Sequence, residues 1–240
     1  MADYKEIVGT RVKALSANPS DPSNGQVWYN STDEVLRYKK ANVAGAWSSG
    51  GNLNTGRYEG ECIGIQTAAL WFGGVRAPGP GAQVITESYN GSAWTEVNDL
   101  NAARDYLAGA GTTSAGLAFG GEPVTAANES WNGTSWTETT DMNVAKDYHC
   151  GSGTQTAALA FGGEDPGGLT AKNESWNGSG WTEVGDLNTA RRGLGGSGAS
   201  NTSALAFSGF PDPGLTESWN GTAWTEVNDV NNGATEHMGA

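Results

Sequence analysis

The chain has 240 residues, a formal net charge of −13, 37 glycines and 10 tryptophans. This length suffices for one large β domain or two small domains. The acidic balance disfavours nucleic acid and anionic membrane surfaces as partners, because phosphate groups need a basic protein face. No apolar segment is long enough to cross a membrane, and the opening residues MADYKEIVGT carry charges instead of the apolar run of a secretory signal.

Residues 1–22 precede every repeated phrase and are expected to form an N-terminal arm that serves for attachment. Residues 23–240 are predicted to form the folded domain. Its first strand-like segments are QVWYN (26–30) and VLRYK (35–39), followed by a strand at Trp47.

The rest of the chain repeats three phrases at nearly constant spacing. The second tryptophan of each copy advances by 47, 42, 45 and 43 residues between Trp47 and Trp224. Short apolar runs bounded by Gly, Asn and Asp predict four strands per repeat of about 43 residues, which is the spacing of a propeller blade. In chain order, the second copies of these phrases are DLNAAR (99–104), LAFGG (117–121) and ESWNG (129–133).

An Asn-Gly pair separates the last two strands of each repeat. Such a pair suits a two-residue type I′ turn, in which both residues take positive φ. In that register Trp131 lies opposite Thr134 and Glu129 lies opposite Trp136, which predicts that both tryptophans share one face and pack against the next blade. The pairs are Asn90-Gly91, Asn132-Gly133, Asn177-Gly178 and Asn220-Gly221, and the glutamates interpreted as partners of tryptophan are Glu129, Glu174 and Glu217.

The order AFGG, loop, ESWN, Trp and DLNxAR resembles the kelch repeat over residues 26–240. The wording of GTQTAALAFGG and ESWNGTSWTEV is similar to kelch-type repeats of structural and tail-fibre proteins in marine tailed phages. SDPSNGQVWYNSTDEVLRY (20–38) resembles the lead-in segments of phage tail and fibre proteins. The resemblance implies an all-β propeller and says little about activity, because propellers of this kind carry unrelated functions.

Five copies of the outer strands predict five four-stranded blades in a ring closed by a terminal strand. Four inner strands are evident, and two segments compete to supply the fifth. ATEHMGA (234–240) is favoured because it aligns loosely with the other inner strands, and IVGTRVKAL (7–15) is the alternative. Closure by one of them is expected, since an open end would leave unpaired strand edges.

The candidate binding residues follow the fourth strand of each repeat, where a cation and often a tyrosine recur. A ring of these groups could grip carboxylated or hydroxyl-rich sugars on a face with variable loops. The alternative is structural: each cation binds an acidic group or a carbonyl of the adjoining blade, with Asp99 and Asp186 as natural partners. The residues are Arg57, Tyr58, Arg104, Tyr106, Lys146, Tyr148 and Arg191.

The sequence predicts no catalytic residue, metal site or cofactor. His149 and His237 lie on different repeats, and Cys62 and Cys150 are expected to be small buried residues. No nucleophile or phosphate-binding motif is present, although a pair of carboxylates for glycoside cleavage stays an open alternative.

The leading functional expectation is a non-enzymatic phage virion protein of the tail or fibre, exposed outside the host cell after assembly in the cytoplasm. Its partners would be other virion proteins, further copies of itself, and a host-surface polysaccharide or receptor. A purely structural decoration protein and a glycan depolymerase of a tailspike are the two alternatives.

Overall fold

The computed structural model describes residues 13–20, 26–38, 49–76, 78–79 and 81–233. All regular secondary structure in these ranges is β-strand, which confirms the predicted all-β class. Within the same ranges, no helix has the length and apolar character that crossing a membrane requires. The chain divides into a small unit, residues 1–49, and a larger unit, residues 50–240.

Among its described residues, the small unit holds one three-stranded sheet. Its strands are β1 (Lys13–Leu15), β2 (Val27–Asn30) and β3 (Val35–Tyr38). β2 and β3 form the predicted pair of strands as an antiparallel hairpin, whereas β1 runs parallel to β2 along its other edge. The buried Trp28 donates its indole N–H to Asn18 Oδ1 at 3.1 Å, which ties the segment after β1 to this sheet.

The pairing of β1 bears on two expectations about the chain ends, and neither is tested by it. Lys13–Leu15 lies inside the predicted arm of residues 1–22 yet belongs to a sheet, so the division at residues 49/50 differs from the one predicted at 22/23. β1 also occupies the edge of β2 on which the favoured closing segment, residues 234–240, would have to pair. That segment and the predicted strand at Trp47 lie outside the described residues.

Across residues 50–233, where the structure describes nearly the whole chain, the larger unit contains four four-stranded antiparallel sheets, here called blades 1 to 4. Blade 1 has β5 (Glu61–Ile65), β6 (Ala68–Phe72), β8 (Thr86–Tyr89) and β9 (Trp94–Val97), and two short flanking strands, β4 (Arg57–Tyr58) and β7 (Val75–Arg76), pair with each other. Blade 2 has β10 (Ala108–Thr112), β11 (Ala115–Phe119), β12 (Asn128–Trp131) and β13 (Trp136–Glu138). Blade 3 has β14 (Cys150–Thr154), β15 (Ala157–Phe161), β18 (Asn173–Trp176) and β19 (Trp181–Val184), with the hairpin of β16 (Glu164–Asp165) and β17 (Gly168–Leu169) in its loop. Blade 4 has β20 (Gly195–Ser200), β21 (Ser203–Phe207), β22 (Thr216–Trp219) and β23 (Trp224–Glu226).

Each blade is an up-and-down meander, so its connections gather at two opposite ends. At one end, backbone bridges join the turn before the first strand to the loop after the second, as between Asp105 and Glu122 and between Asp147 and Glu164. At the other end, the Asn-Gly turn of blade 2 lies beside the turn at Ser114, since a Cβ on Gly133 would come within 3.3 Å of the Ser114 carbonyl oxygen. We call the first end the loop face.

Aromatic side chains fill the space between neighbouring blades. The two tryptophans of blade 2 lie on one face, with ring centroids 5.3 Å apart, and Trp136 packs edge-on against Phe72 of blade 1 at 4.9 Å. The equivalent contacts are Phe119 with Trp181 and Phe161 with Trp224, both at 5.0 Å. The prediction that the indole pairs seal one blade against its neighbour is therefore confirmed, and the neighbour is the preceding blade.

The predicted two-residue Asn-Gly turn is wrong. Trp131 lies directly opposite Trp136 and Glu129 opposite Glu138, so four residues connect the strands. Asn132 Oδ1 accepts the backbone N–H groups of Thr134 and Ser135 at 2.9 and 3.0 Å, while Gly133 alone takes positive φ, at 91°. Asparagine is therefore required for its side-chain acceptor and not for a left-handed backbone.

Glycine in the inner strands allows the blades to approach closely at their centre. A Cβ on Gly151 would lie 2.6 Å from the carbonyl oxygen of Gly109 in the preceding blade, which is too close for any side chain. The innermost strands of consecutive blades, β5, β10, β14 and β20, contact each other in this order. The small-residue runs of the sequence are thus a packing requirement of these four strands.

Candidate functional site

The four repeated cations lie inside the blades. Arg104 Nη1 donates to the carbonyl oxygens of Gly120 and Ala127 at 3.0 and 2.9 Å, and its Nη2 forms an ion pair with Glu129 at 2.6 Å. Arg57 and Arg191 repeat this geometry with Glu87 and Glu217, at 3.0 and 2.9 Å. The Nη groups that could have held a ligand are therefore bound inside the protein, as the structural alternative proposed.

The other oxygen of each glutamate binds the asparagine of the DLNxAR turn. Glu129 Oε2 accepts both the backbone N–H and the side-chain Nδ2 of Asn101 at 2.8 Å. We call this set the Asn–Glu–cation cluster, and it joins the turn that enters a blade to the third strand of that blade. Its members in the four blades are Asn54, Glu87 and Arg57; Asn101, Glu129 and Arg104; Asn143, Glu174 and Lys146; and Asn188, Glu217 and Arg191.

Two predicted pairings are corrected by this cluster. The glutamates are not cross-strand partners of tryptophan, because Glu129 faces Glu138 and its carboxylate binds Arg104 and Asn101. The aspartates are not the ion-pair partners either. Asp99 Oδ1 accepts the backbone N–H of Thr86 at 3.0 Å, and Asp186 Oδ1 accepts that of Asn173 at 3.2 Å, so each aspartate fixes the start of a third strand.

Burial shapes the protonation of these cations. Desolvation lowers the pKa of Arg104 and of the equivalent Arg57 and Arg191, while the paired glutamates oppose this effect. Burial also lowers the pKa of Lys146, to about 8. Its Nζ lies 3.9 Å from Glu174, which is farther than the arginines lie from their glutamates. A lysine ammonium lacks the fork of a guanidinium, so it donates to the two carbonyls at 3.1 and 3.2 Å and lies within ion-pair distance of the carboxylate but beyond hydrogen-bond distance.

The three predicted tyrosines, in contrast, lie on the loop face. Tyr58 is about half exposed, at 49%. Tyr106 and Tyr148 are half-buried, and their rings stack with centroids 3.7 Å apart across the contact between blades 2 and 3. Of the predicted residues, the structure thus brings these two tyrosines together at the surface and places the cations beneath them.

A chain of backbone hydrogen bonds holds the tyrosines in place. Tyr106 N–H donates to Glu59 O, Tyr148 N–H to Tyr106 O, and Gly193 N–H to Tyr148 O, at 2.9, 3.1 and 2.9 Å. All four residues occupy equivalent positions, two after the repeated cation, and all have φ between 48° and 59°. A left-handed conformation is unfavourable for tyrosine, so the bonds between blades must impose it. The stacked rings are consequently built on a rigid frame.

Carboxylates surround the stacked rings. Asp105 and Asp147 are buried and follow the repeated cation, whereas Glu122 and Glu164 follow the glycine doublet of blades 2 and 3. We call these four acids, with Tyr106, Tyr148 and Glu59, the tyrosine–acid cluster. Sequence reasoning missed its acids, although their constant position next to the cation or the doublet was visible in the repeat.

The acids of this cluster crowd one another. Asp147 and Glu122 lie in hydrogen-bonding contact, and burial together with Glu122 and Glu164 raises the pKa of Asp147 to about 7. Burial, then Glu59 and Glu122, raises the pKa of Asp105 as well. Burial and contacts with Glu59 and Tyr148 raise the pKa of the Tyr106 phenol, so the tyrosine remains a neutral donor. The cluster therefore holds protons that isolated acids would release.

A cavity of about 170 Å³ lies between the inner strands of the four blades. Its lining is mostly glycine and also includes Glu61, Cys62 and Ser152. Burial raises the pKa of Glu61 well above its usual value and that of the Cys62 thiol to about 11. Both cysteines are free, with Cys150 buried and Cys62 half-buried, and neither is an activated nucleophile.

The buried His149 packs against Phe119 with ring centroids 5.7 Å apart. Burial, with Lys146 and Arg104 nearby, lowers its pKa well below the usual value, which makes it a neutral packing residue. His237 lies outside the described residues, among which no cluster of three potential metal-binding side chains occurs.

No family model matches the chain, and neither does any curated protein. Among solved structures, one described as "Structure of YjhT" is similar, with a TM-score of 0.62 and 12% sequence identity. The similarity covers 78% of this chain and 70% of the other. At this identity the comparison shows the fold alone, which is β-propeller-like.

Proposed function

We propose that this chain is a non-enzymatic component of a phage tail or fibre whose loop face binds a host-surface glycan. The observation that carries the proposal is the stacked pair Tyr106–Tyr148, held rigidly at the surface of the blades and surrounded by carboxylates. Rigid scaffolds that present loop residues are where binding usually resides. The phage assignment rests on the resemblance of the repeat phrases and of the lead-in segment.

The surface chemistry suits a sugar that offers hydroxyl groups. Aromatic faces supply apolar contact area, and phenol and carboxylate groups accept hydrogen bonds from hydroxyls. A carboxylated sugar is a poorer ligand than the sequence suggested, because the repeated guanidinium groups lie buried in ion pairs and the loop face presents Glu122 and other acids in their place.

Geometry also favours binding over glycoside cleavage at this cluster. Glycosidases separate their two carboxyl groups by about 5–9.5 Å to fit a sugar carbon and a water. Asp147 is buried, and Glu122 lies near enough to contribute a hydrogen bond to its raised pKa, which is a closer approach than either glycosidase arrangement uses.

The proposal includes a closed ring of five blades. In this arrangement the sheet of β2 and β3 belongs to the fifth blade, and β1, which lies on the free edge of β2 and runs parallel to it, supplies the terminal strand. Several copies in one virion, together with other tail proteins, would turn a weak single-site affinity into stable attachment through avidity.

A glycan array and a reducing-end assay on the purified chain test the function. Binding without release of new reducing ends is expected, and Tyr106→Ala should weaken it while a substitution at the exposed Glu183 should not. Cleavage would establish a depolymerase instead. If the array shows no binding and the reducing-end assay shows no cleavage, while antibodies against the chain label virions, a purely structural protein would be favoured.

A further inference from the structure

The contacts between successive blades on the loop face can be compared directly, because each is built from equivalent residues. Where blade 3 meets blade 4, Arg192 of blade 4 donates from Nη1 to Glu164 of blade 3 at 3.1 Å. Its guanidinium carbon also lies 5.3 Å from the ring centroid of Tyr148. A carboxylate and a tyrosine of one blade thus hold a cation supplied by the next.

Where blade 2 meets blade 3, the same carboxylate and tyrosine occur without the cation. Glu122 stands in the position of Glu164 and Tyr106 in that of Tyr148, but Asp147 replaces Arg192. The two acids lie close together, because the residues just before them are joined by a hydrogen bond from Gly121 N–H to Lys146 O at 3.0 Å, and burial together with Glu122 raises the pKa of Asp147. Asp147 is 5% exposed, and its Oδ1 has no hydrogen-bond donor among the described residues.

No neighbouring cation among the described residues neutralises the negative charge of Glu122 and Asp147. The nearby acids include Asp105, whose Oδ1 is likewise buried without a described donor, and Glu59. Arg192, the cation that follows on this face, is already bound to Glu164. Lys146 and Arg104 point into the blades toward their own glutamates. A buried carboxylate without a counter-charge is costly, and an external cation would relieve that cost.

We infer that Glu122 and Asp147 form a binding site for a protonated amine on a glycan, such as the ammonium group of an amino sugar. This inference rests on the proposed glycan binding and specifies its ligand class. The ammonium would bind the two carboxylates as Arg192 binds Glu164, displacing the shared proton. The sugar ring would lie toward the stacked rings of Tyr106 and Tyr148. In the next blade contact, the guanidinium of Arg192 lies beside Tyr148 in a comparable way.

Paired probes test the site by calorimetry on the full chain. Glucosamine oligosaccharides are compared with their N-acetylated counterparts, which have the same sugar ring but no positive charge, at a pH where the free amine is protonated. We expect the amine form to bind at least about tenfold more tightly, the size of one charge-assisted hydrogen bond. Equal binding of the two forms would overturn the inference.

Charge-matched variants locate the site. Glu122 is exposed at the rim, so Glu122→Gln should fold normally and reduce amine binding about tenfold. Asp147→Asn should act in the same direction, while Glu183→Gln, on an exposed outer strand, changes the net charge equally and should have no effect. If the chain binds glycans but the amine form binds no more tightly than the neutral form, or neither site variant weakens amine binding, the inference fails and the proposed function stands. If no glycan binds, or only a lysine-containing peptide does, both fail.

Discussion

The Asn–Glu–cation cluster and the tyrosine–acid cluster are built from adjacent residues of the same turns, yet they use the repeat in opposite ways. Arg104 points into blade 2 and forms an ion pair with Glu129, and every blade repeats this contact with nearly the same residues. The next two residues, Asp105 and Tyr106, face the loop surface, and their equivalents differ from blade to blade.

This difference separates the positions that the fold explains from those that it does not. A residue that is the same in every repeat meets the same surroundings each time, so its identity is explained by the fold. The position directly after the repeated cation is different, because it changes from one blade to the next although the backbone around it is the same. Its residues are Tyr58, Asp105, Asp147 and Arg192. The stacked tyrosines and the acid pair belong to this second group.

The largest expected effect is loss of the buried ion pair. Arg104→Met keeps most of the side-chain volume but leaves Glu129 buried without its partner, which should destabilise the protein by about 3–5 kcal/mol. The measurement is the free energy of unfolding from urea titration. Glu138→Gln, on the exposed strand opposite, should change it by less than about 0.5 kcal/mol. Equal effects of the two would show that the ion pair is not needed for stability.

Lys146 offers a change in the stabilising direction. Lys146→Arg should let a guanidinium reach Glu174 as in the other three blades and raise stability by about 1 kcal/mol. The pKa of Lys146 is lowered to about 8 in the folded protein, so the unfolded chain binds more protons between that pH and the usual lysine value. Wild-type stability should therefore rise with pH across this range, and the rise should be absent in the variant. Parallel pH profiles would contradict the buried position.

The acid pair should produce a pH dependence of opposite sign. The pKa of Asp147 is raised to about 7, so the folded protein holds a proton that the unfolded chain releases above about 4. The stability contributed by this proton is present below about pH 4 and is lost as the pH rises through 7. Asp147→Asn should flatten this profile and raise the Tm near pH 8 by about 2–4 °C. A profile unchanged by the variant would mean that Asp147 does not share a proton with Glu122.

The smallest effect on stability is expected at the stacked ring itself. Tyr148→Gly introduces the residue that blade 4 has at the equivalent position, Gly193. The loss of ring stacking, about 0.5–1.5 kcal/mol, should be largely offset by relief of the left-handed backbone at φ 48°. Thermal denaturation should show little change while glycan affinity falls. A variant that binds glycan normally would remove the tyrosine pair from the proposed site.

Much of the architecture follows from the repeat alone, and the errors have local causes. The spacing of Trp131 and Trp136 predicts two strands with both indoles on one face, and this is confirmed. The turn was misread because Asn-Gly suits both a two-residue turn and a four-residue turn closed by the asparagine side chain. The partner of Arg104 was misread because an aspartate five residues earlier is as plausible in sequence as a glutamate 25 residues later.

The amino-acid sequence by itself determined the strands, the repeat length and the indole-bearing faces, because these depend on local periodicity and on side chains that must leave water. Only the tertiary structure decided which acid pairs with each cation and which carboxylates meet across two blades, because those contacts join residues from different strands and loops. Glu122 and Asp147 have no distinguishing pattern in the chain, and they lie side by side only because blades 2 and 3 bring them together.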